Sequence, residues 1–189
     1  MYPRVNNKKA VSFMPTALLV IDVQQGLCAG PTAVTHAQDV IGRINHLSDA
    51  ARAADVPVIM VRHEDNTALI HDSPAWQSAD GLRVMSSDLS VRKLGSDAFH
   101  ATGLENLLRT RYISHLVICG MQTDFCVDST VRRALALGYT VTLVADGHTT
   151  ADNGILTAQQ IIAHHNTTLA RLRAYGVRAT LLAARDIRF

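Results

Sequence analysis

The chain has 189 residues, 48% hydrophobic and 18% charged, with a formal net charge of +2. A length of this order suits one globular domain of about 100–200 residues, and high apolar content with low net charge excludes disorder. Aromatics make up only 5% and no Lys/Arg run exceeds a pair, which argues against a nucleic-acid partner. No window of about 18 apolar residues offers a membrane span.

Residues 1–15 read as a polar N-terminal arm without the apolar stretch of a signal peptide, and 16–189 as one folded domain. Ala17 to Val23 is continuously apolar except for Asp22, the pattern of a buried parallel strand with a carboxylate near its end. Helical spacing follows at Val40, Ile41, Ile44, Leu47, Ala51 and Ala54, and Pro57 precedes a second buried strand, Val58–Val61. Residues 62–88 show no period, hold many turn formers and contain the single tryptophan, Trp76. An irregular stretch of that length in a compact domain is more often functional than idle.

Leu89–Leu94 reads as a third strand, and Leu104, Leu107 and Leu108 mark a short helix starting at Thr102 or Gly103. Next come a buried strand His115–Gly120, a polar turn Met121–Asp124, and a helix carrying Val127, Val131, Ala134 and Leu135 up to Gly138. Thr140–Val144 is a fifth strand. A last helix from Thr157 to Tyr175 puts Ala158, Ile161, Ile162, His165, Leu169 and Leu172 on one face, and Arg178–Leu182 forms strand six.

This alternation predicts an α/β, three-layer, Rossmann-like architecture: a parallel six-stranded sheet with helices on both faces. Ligands of such sheets sit beyond the carboxyl ends of the strands. Asp22, the His63-Glu64 segment and the Gly120–Cys126 turn converge there, with His148 beyond strand five at the same edge.

Three cysteines without CxxC spacing are too few for a secreted disulfide framework, so the expected compartment is the reducing cytoplasm. Cys126 lies in the first turn of a helix capped by Thr123 or Asp124, where free N–H groups and the helix dipole favour thiolate and can hold an oxyanion. Cys119, inside an apolar strand, reads as core. Cys28 sits in a Gly/Pro-rich loop that borders the same region. A buried Asp22 needs a cation or donor beside it. By pattern alone Asp22 is as readily a loop cap, and Lys93 a solvated edge-strand lysine. On the last helix, His164 and His165 divide, with His165 on the apolar side as a hydrogen-bonded core histidine.

The segments Leu18–Gln24, Val91–Lys93 with Asp97–Leu104, and Val117–Ala134 resemble the signature blocks of the isochorismatase-like cysteine hydrolase family, over about 17–184. Arg62-His63-Glu64, Ser73–Gln77 and Ile161–Asn166 are similar to its metal-free amidohydrolases of the streptothricin hydrolase kind. The resemblance implies a triad: Asp22 takes the thiol proton of Cys126 and passes it to the leaving amine, while Lys93 holds the pair in its charged state. It also implies a cis peptide at Met121–Gln122 and an oxyanion hole from the N–H groups of Gln122 and Cys126. The implied reaction cleaves an amide or lactam-like C–N bond in a small molecule through an S-acyl enzyme, with water and no cofactor.

Nicotinamidase-type members carry an Asp-x-His motif that is absent here, where the chain reads Arg62-His63-Glu64 with His71 further on. No metal is therefore expected. A zinc-dependent nicotinamidase-like amidase using His63, Glu64 and His71 is the runner-up, and a non-catalytic redox-reactive thiol protein is the alternative outside enzymes. True isochorismatases typically lack the nucleophilic cysteine, so vinyl ether cleavage is not expected. The substrate pocket is expected from Gln24, Leu27, His63, Glu64, Trp76, Phe125 and His148, with Glu64 and Trp76 attracting a cation. Family members are usually dimers or tetramers, which implies a homo-oligomer.

Overall fold

In the computed structural model, which describes residues 14–189, six strands form a single sheet. They are β1 (Thr16–Ile21), β2 (Val58–His63), β3 (Leu89–Lys93), β4 (His115–Met121), β5 (Thr140–Thr149) and β6 (Ala179–Leu182). Their order is β3-β2-β1-β4-β5-β6, and every neighbouring pair is parallel. The polar arm expected over 1–15 lies, apart from Met14 and Pro15, outside the described residues.

The helices are α1 (Gln25–Cys28), α2 (Ala37–Ala53), α3 (Leu104–Thr110), α4 (Asp128–Ala136) and α5 (Ala158–Ala170). Strand β1 is apolar on both faces because both are covered. Ala17, Leu19 and Ile21 pack in one core with residues of α3, α4 and α5, whereas Leu18 and Val20 pack in the other with Val40, Ile41, Ile44 and Leu47 of α2. Among the described residues, no helix is long and apolar enough to cross a membrane.

Several boundaries differ from the sequence expectation, four of them for a clear local reason. Strand β5 continues past Val144 to Thr149 through a bulge: Ile118 pairs with Leu143, but Gly120 pairs with His148. Strand β3 stops at Lys93, and Leu94 is exposed. Helix α5 ends at Ala170, short of Tyr175, where Arg171 and Leu172 donate to Thr168 and Leu169 in tighter i to i+3 bonds. The residues after β4 form a π-helical turn, Thr123–Val127, before α4 begins, with Gln122 rather than Thr123 or Asp124 at its cap.

The strand order reverses between β1 and β4, the switch point at which a doubly wound sheet opens a crevice. Gly120 makes the close approach there possible. It has φ +123°, and a Cβ on it would collide with the Ile21 carbonyl at the end of β1.

Candidate active site

Three chain ends meet at this crevice. Asp22, with φ +51°, follows β1 directly, and its N–H donates to the Val61 carbonyl of β2 at 2.9 Å. Lys93 is the last residue of β3. Cys126 lies in the π-helical turn after β4, where the Val127 N–H donates to the Gln122 carbonyl at 3.1 Å. The Met121–Gln122 peptide leading into that turn is cis.

The side chains of Asp22 and Lys93 are both 0% exposed, with Lys93 Nζ 2.7 Å from Asp22 Oδ2. Nζ also reaches Cys126 Sγ at 3.1 Å and the Gly95 carbonyl at 3.1 Å, and lies 3.5 Å from His63 Nδ1. Lys93 is therefore a buried hub and not a solvated edge lysine. The Lys93 ammonium thus pairs with Asp22 Oδ2, while Oδ1 has no hydrogen-bond partner among the described residues. A carboxylate with unused acceptor capacity beside a thiol is arranged to receive a proton.

Burial pushes the Asp22 carboxyl above its ordinary value, and the Lys93 charge and the adjacent Cys126 oppose that rise. The Cys126 thiol is pushed up to about 12, by burial first and by the Asp22 carboxylate second, against the pull of Lys93. Desolvation and the neighbouring anion thus act against the lowering expected from the helix N-terminus. Moving a proton from the thiol to the Asp22 carboxylate would leave the net charge of the buried group unchanged.

Asp22, Gln122 and Cys126 border a cavity of about 270 Å³. Of the expected pocket residues, Leu27, His63 and Phe125 line it. Gln24, Glu64, Trp76 and His148 do not, because each is engaged elsewhere. The Gln24 side chain donates to the His63 and Trp76 carbonyls and accepts from the His63 N–H, stitching β1 to the 62–88 loop. Glu64 is held by Arg92 through two bonds of 2.8 Å. Trp76, 5% exposed, lies under the Arg62 guanidinium at 4.3 Å, with the His71 ring against its edge.

His148 stands behind the π-helical turn. Its Nδ1 meets Thr123 Oγ1 at 2.9 Å and its Nε2 meets Asn166 Oδ1 at 2.9 Å, while burial pushes it down to about 4. Asp65, Ala68, Leu69, Ser96 and Gly26 complete the lining and were missed by sequence reasoning. An available signal was the Asp65-Asn66-Thr67 run, since an Asp that caps its own turn orients one carboxylate oxygen.

The runner-up's zinc ligands diverge. His63 faces Lys93 and Asp65, Glu64 is bound to Arg92, and His71 lies 3.4 Å from Asp72. Among the described residues, no group of three or more His, Cys, Asp or Glu is placed to hold a metal ion.

All three cysteines are free. Cys119 is buried, with Sγ 3.6 Å from the Leu19 carbonyl, and Cys28 lies 3.3 Å from the Met121 sulfur. Partly buried His165 bonds the Ile161 carbonyl at 2.8 Å, whereas His164 is exposed beside Thr168.

Residues 16–184 match the Isochorismatase domain family. The chain belongs to the isochorismatase family. Among curated relatives from this family's range, a streptothricin hydrolase of Streptomyces noursei is 34% identical over 138 residues, covering 72% of this chain and 50% of its own length. The chain thus spans about half of that relative. A ureidoacrylate amidohydrolase of Pseudomonas syringae pv. syringae is 27% identical over 169 residues, covering 69% of each chain. A crystal structure of an isochorismatase family protein superimposes with TM-score 0.83 at 36% identity, covering 89% of this chain and 98% of that one.

Proposed function

We propose that the protein is a cysteine hydrolase of a non-peptide C–N bond in a small amide or lactam-like molecule. The observation that carries this reading is Lys93 Nζ placed 2.7 Å from Asp22 and 3.1 Å from Cys126 Sγ at the edge of a small cavity. Family membership and the two hydrolases among its relatives, one of them an amidohydrolase, support the reaction class.

In the proposed course, the amide carbonyl settles over Cys126 as Asp22 takes the thiol proton. Sγ attacks the carbonyl carbon, and the oxyanion is received by the N–H groups of Gln122 and Cys126. Collapse breaks the C–N bond, with the Asp22 proton passing to the departing nitrogen. Asp22 then takes a proton from water as its oxygen attacks the thioester, and the acid leaves as the thiol is restored. Lys93, in reach of both, stabilises whichever partner carries the negative charge.

A redox-sensing thiol needs neither Asp22 nor Lys93 beside it, so the contacts joining Cys126, Lys93 and Asp22 favour the triad reading over that alternative. A free thiol nucleophile fits the reducing cytoplasm, and we take the working form as a homo-oligomer, a dimer or tetramer, to be checked by sedimentation. The main test is intact-mass analysis after mixing with a panel of small amides and lactams. An acyl mass should appear on Cys126 in wild type and be absent in Cys126→Ala. Full turnover by Cys126→Ala would sink the covalent course.

A further inference from the structure

The cavity over Cys126 is lined by two carboxylates with different fates. Asp22 is neutralised by Lys93 at 2.7 Å. Asp65 meets no lysine or arginine within ion-pair distance among the described residues. Its Oδ1 is occupied, accepting from the Thr67 N–H at 2.7 Å, Thr67 Oγ1 at 3.0 Å, the Ala68 N–H at 2.7 Å and the Leu69 N–H at 3.1 Å. Its Oδ2 has only His63 Nε2 at 3.9 Å, beyond hydrogen-bond reach.

Those donors, the Thr67 N–H foremost, hold the carboxyl down at about 2, so Asp65 is an anion at any working pH. The nearby arginines do not cancel it: Arg62 is laid on Trp76 and Arg92 is bound to Glu64. Leu27, Ala68, Leu69 and Phe125 share the cavity wall with it and bring no competing charge.

We propose that Asp65 makes this a site for cationic substrates, amides that carry an ammonium or guanidinium a few bonds from the scissile carbonyl. The inference rests on the hydrolase reading for the bond that lies beside Cys126. The attraction of a cation to the cavity does not depend on turnover. The cation-recognition role expected of Glu64 and Trp76 passes to Asp65, the residue directly after the Arg62-His63-Glu64 run.

The test separates binding from chemistry. In Cys126→Ala, 5-aminopentanamide and its neutral near-isostere hexanamide are titrated while side-chain NMR signals of the cavity are followed. The expected result is a preference of about tenfold or more for the cationic amide, reduced to near parity in Cys126→Ala/Asp65→Asn. Asparagine keeps an Oδ1 acceptor for the Thr67–Leu69 turn, and an unchanged thermal midpoint verifies that the turn survives. Equal affinity of the two amides, no measurable binding of the cationic one, or a preference that survives Asp65→Asn overturns the proposal. Wild-type turnover is assayed in parallel. Selective binding without hydrolysis of any amide would leave the cation site standing and remove the hydrolase reading instead.

Discussion

Two buried polar clusters flank the turn that carries Cys126, and they are built on opposite terms. Behind the turn, Thr123, His148 and Asn166 satisfy one another. Asn166 donates Nδ2 to the Ala145 carbonyl at 3.0 Å, which leaves its Oδ1 to accept from His148 Nε2 and leaves Nδ1 to accept from the Thr123 hydroxyl. Thr150 adds a 2.6 Å bond to Asp124 on the same turn. In front of it, Asp22 and Lys93 form an equally buried ion pair, with Asp22 Oδ1 left without a hydrogen-bond partner. A satisfied network rigidifies its surroundings, whereas an unsatisfied buried group is costly unless something uses it. The rear cluster is scaffold for the turn that carries Cys126, and in the proposed function the front cluster holds the capacity for proton transfer.

The contrast can be broken at several points. The largest effect is expected from Cys126→Ala, which should lower amide turnover by a factor of about a thousand or more, roughly 4 kcal/mol of barrier, with the fold kept by circular dichroism. Product release measured by chromatography checks it.

Lys93→Met should come next, at about 3–5 kcal/mol of stability, because it strands Asp22 as an unpaired buried carboxylate. A carboxyl whose folded pKa lies above its unfolded value of 3.8 lends stability below that value and loses it as pH rises through the folded pKa. The urea midpoint of Lys93→Met should therefore fall, relative to wild type, as pH rises above 3.8. Adding Asp22→Leu should restore the midpoint and not the activity; a double variant as unstable as the single one would contradict the pairing.

The rear cluster predicts the opposite slope. His148 titrates near 4 in the folded chain against 6.5 ordinarily, so its stabilisation is present above pH 6.5 and lost as pH falls toward 4. Over that window wild type should lose about 3 kcal/mol more than His148→Gln in urea titrations. The smallest effect is Thr123→Val, which leaves His148 Nδ1 without its donor at about 1–3 kcal/mol. It should lower kcat with little change in KM, and Thr123→Ser should recover both stability and kcat.

Much of this was readable in the chain before any coordinates. The apolar run around Asp22, the strand ending near Lys93 and the strand, turn and helix around Cys126 all placed chemistry at one edge of a parallel sheet. What escaped was the choice of partners. Glu64 looks like a ligand-binding carboxylate until Arg92, one strand away in space, takes it. Trp76 looks like a pocket wall until Arg62 covers it, and His148 looks like a rim residue until the β5 bulge turns it toward Asn166. Asp65 looked like an ordinary turn residue, and only its place in the cavity gives its second oxygen a use.

The sequence by itself determined the order of strands and helices and the two-faced burial of β1, because hydrophobic periodicity and turn chemistry act between neighbours in the chain. Three free cysteines and a net charge of +2 are equally its property. Only the tertiary structure decided which charges are neutralised, which stay available, and that the Cys126 thiol is raised. Desolvation and pairing depend on groups that are distant in sequence and adjacent only after the sheet has formed.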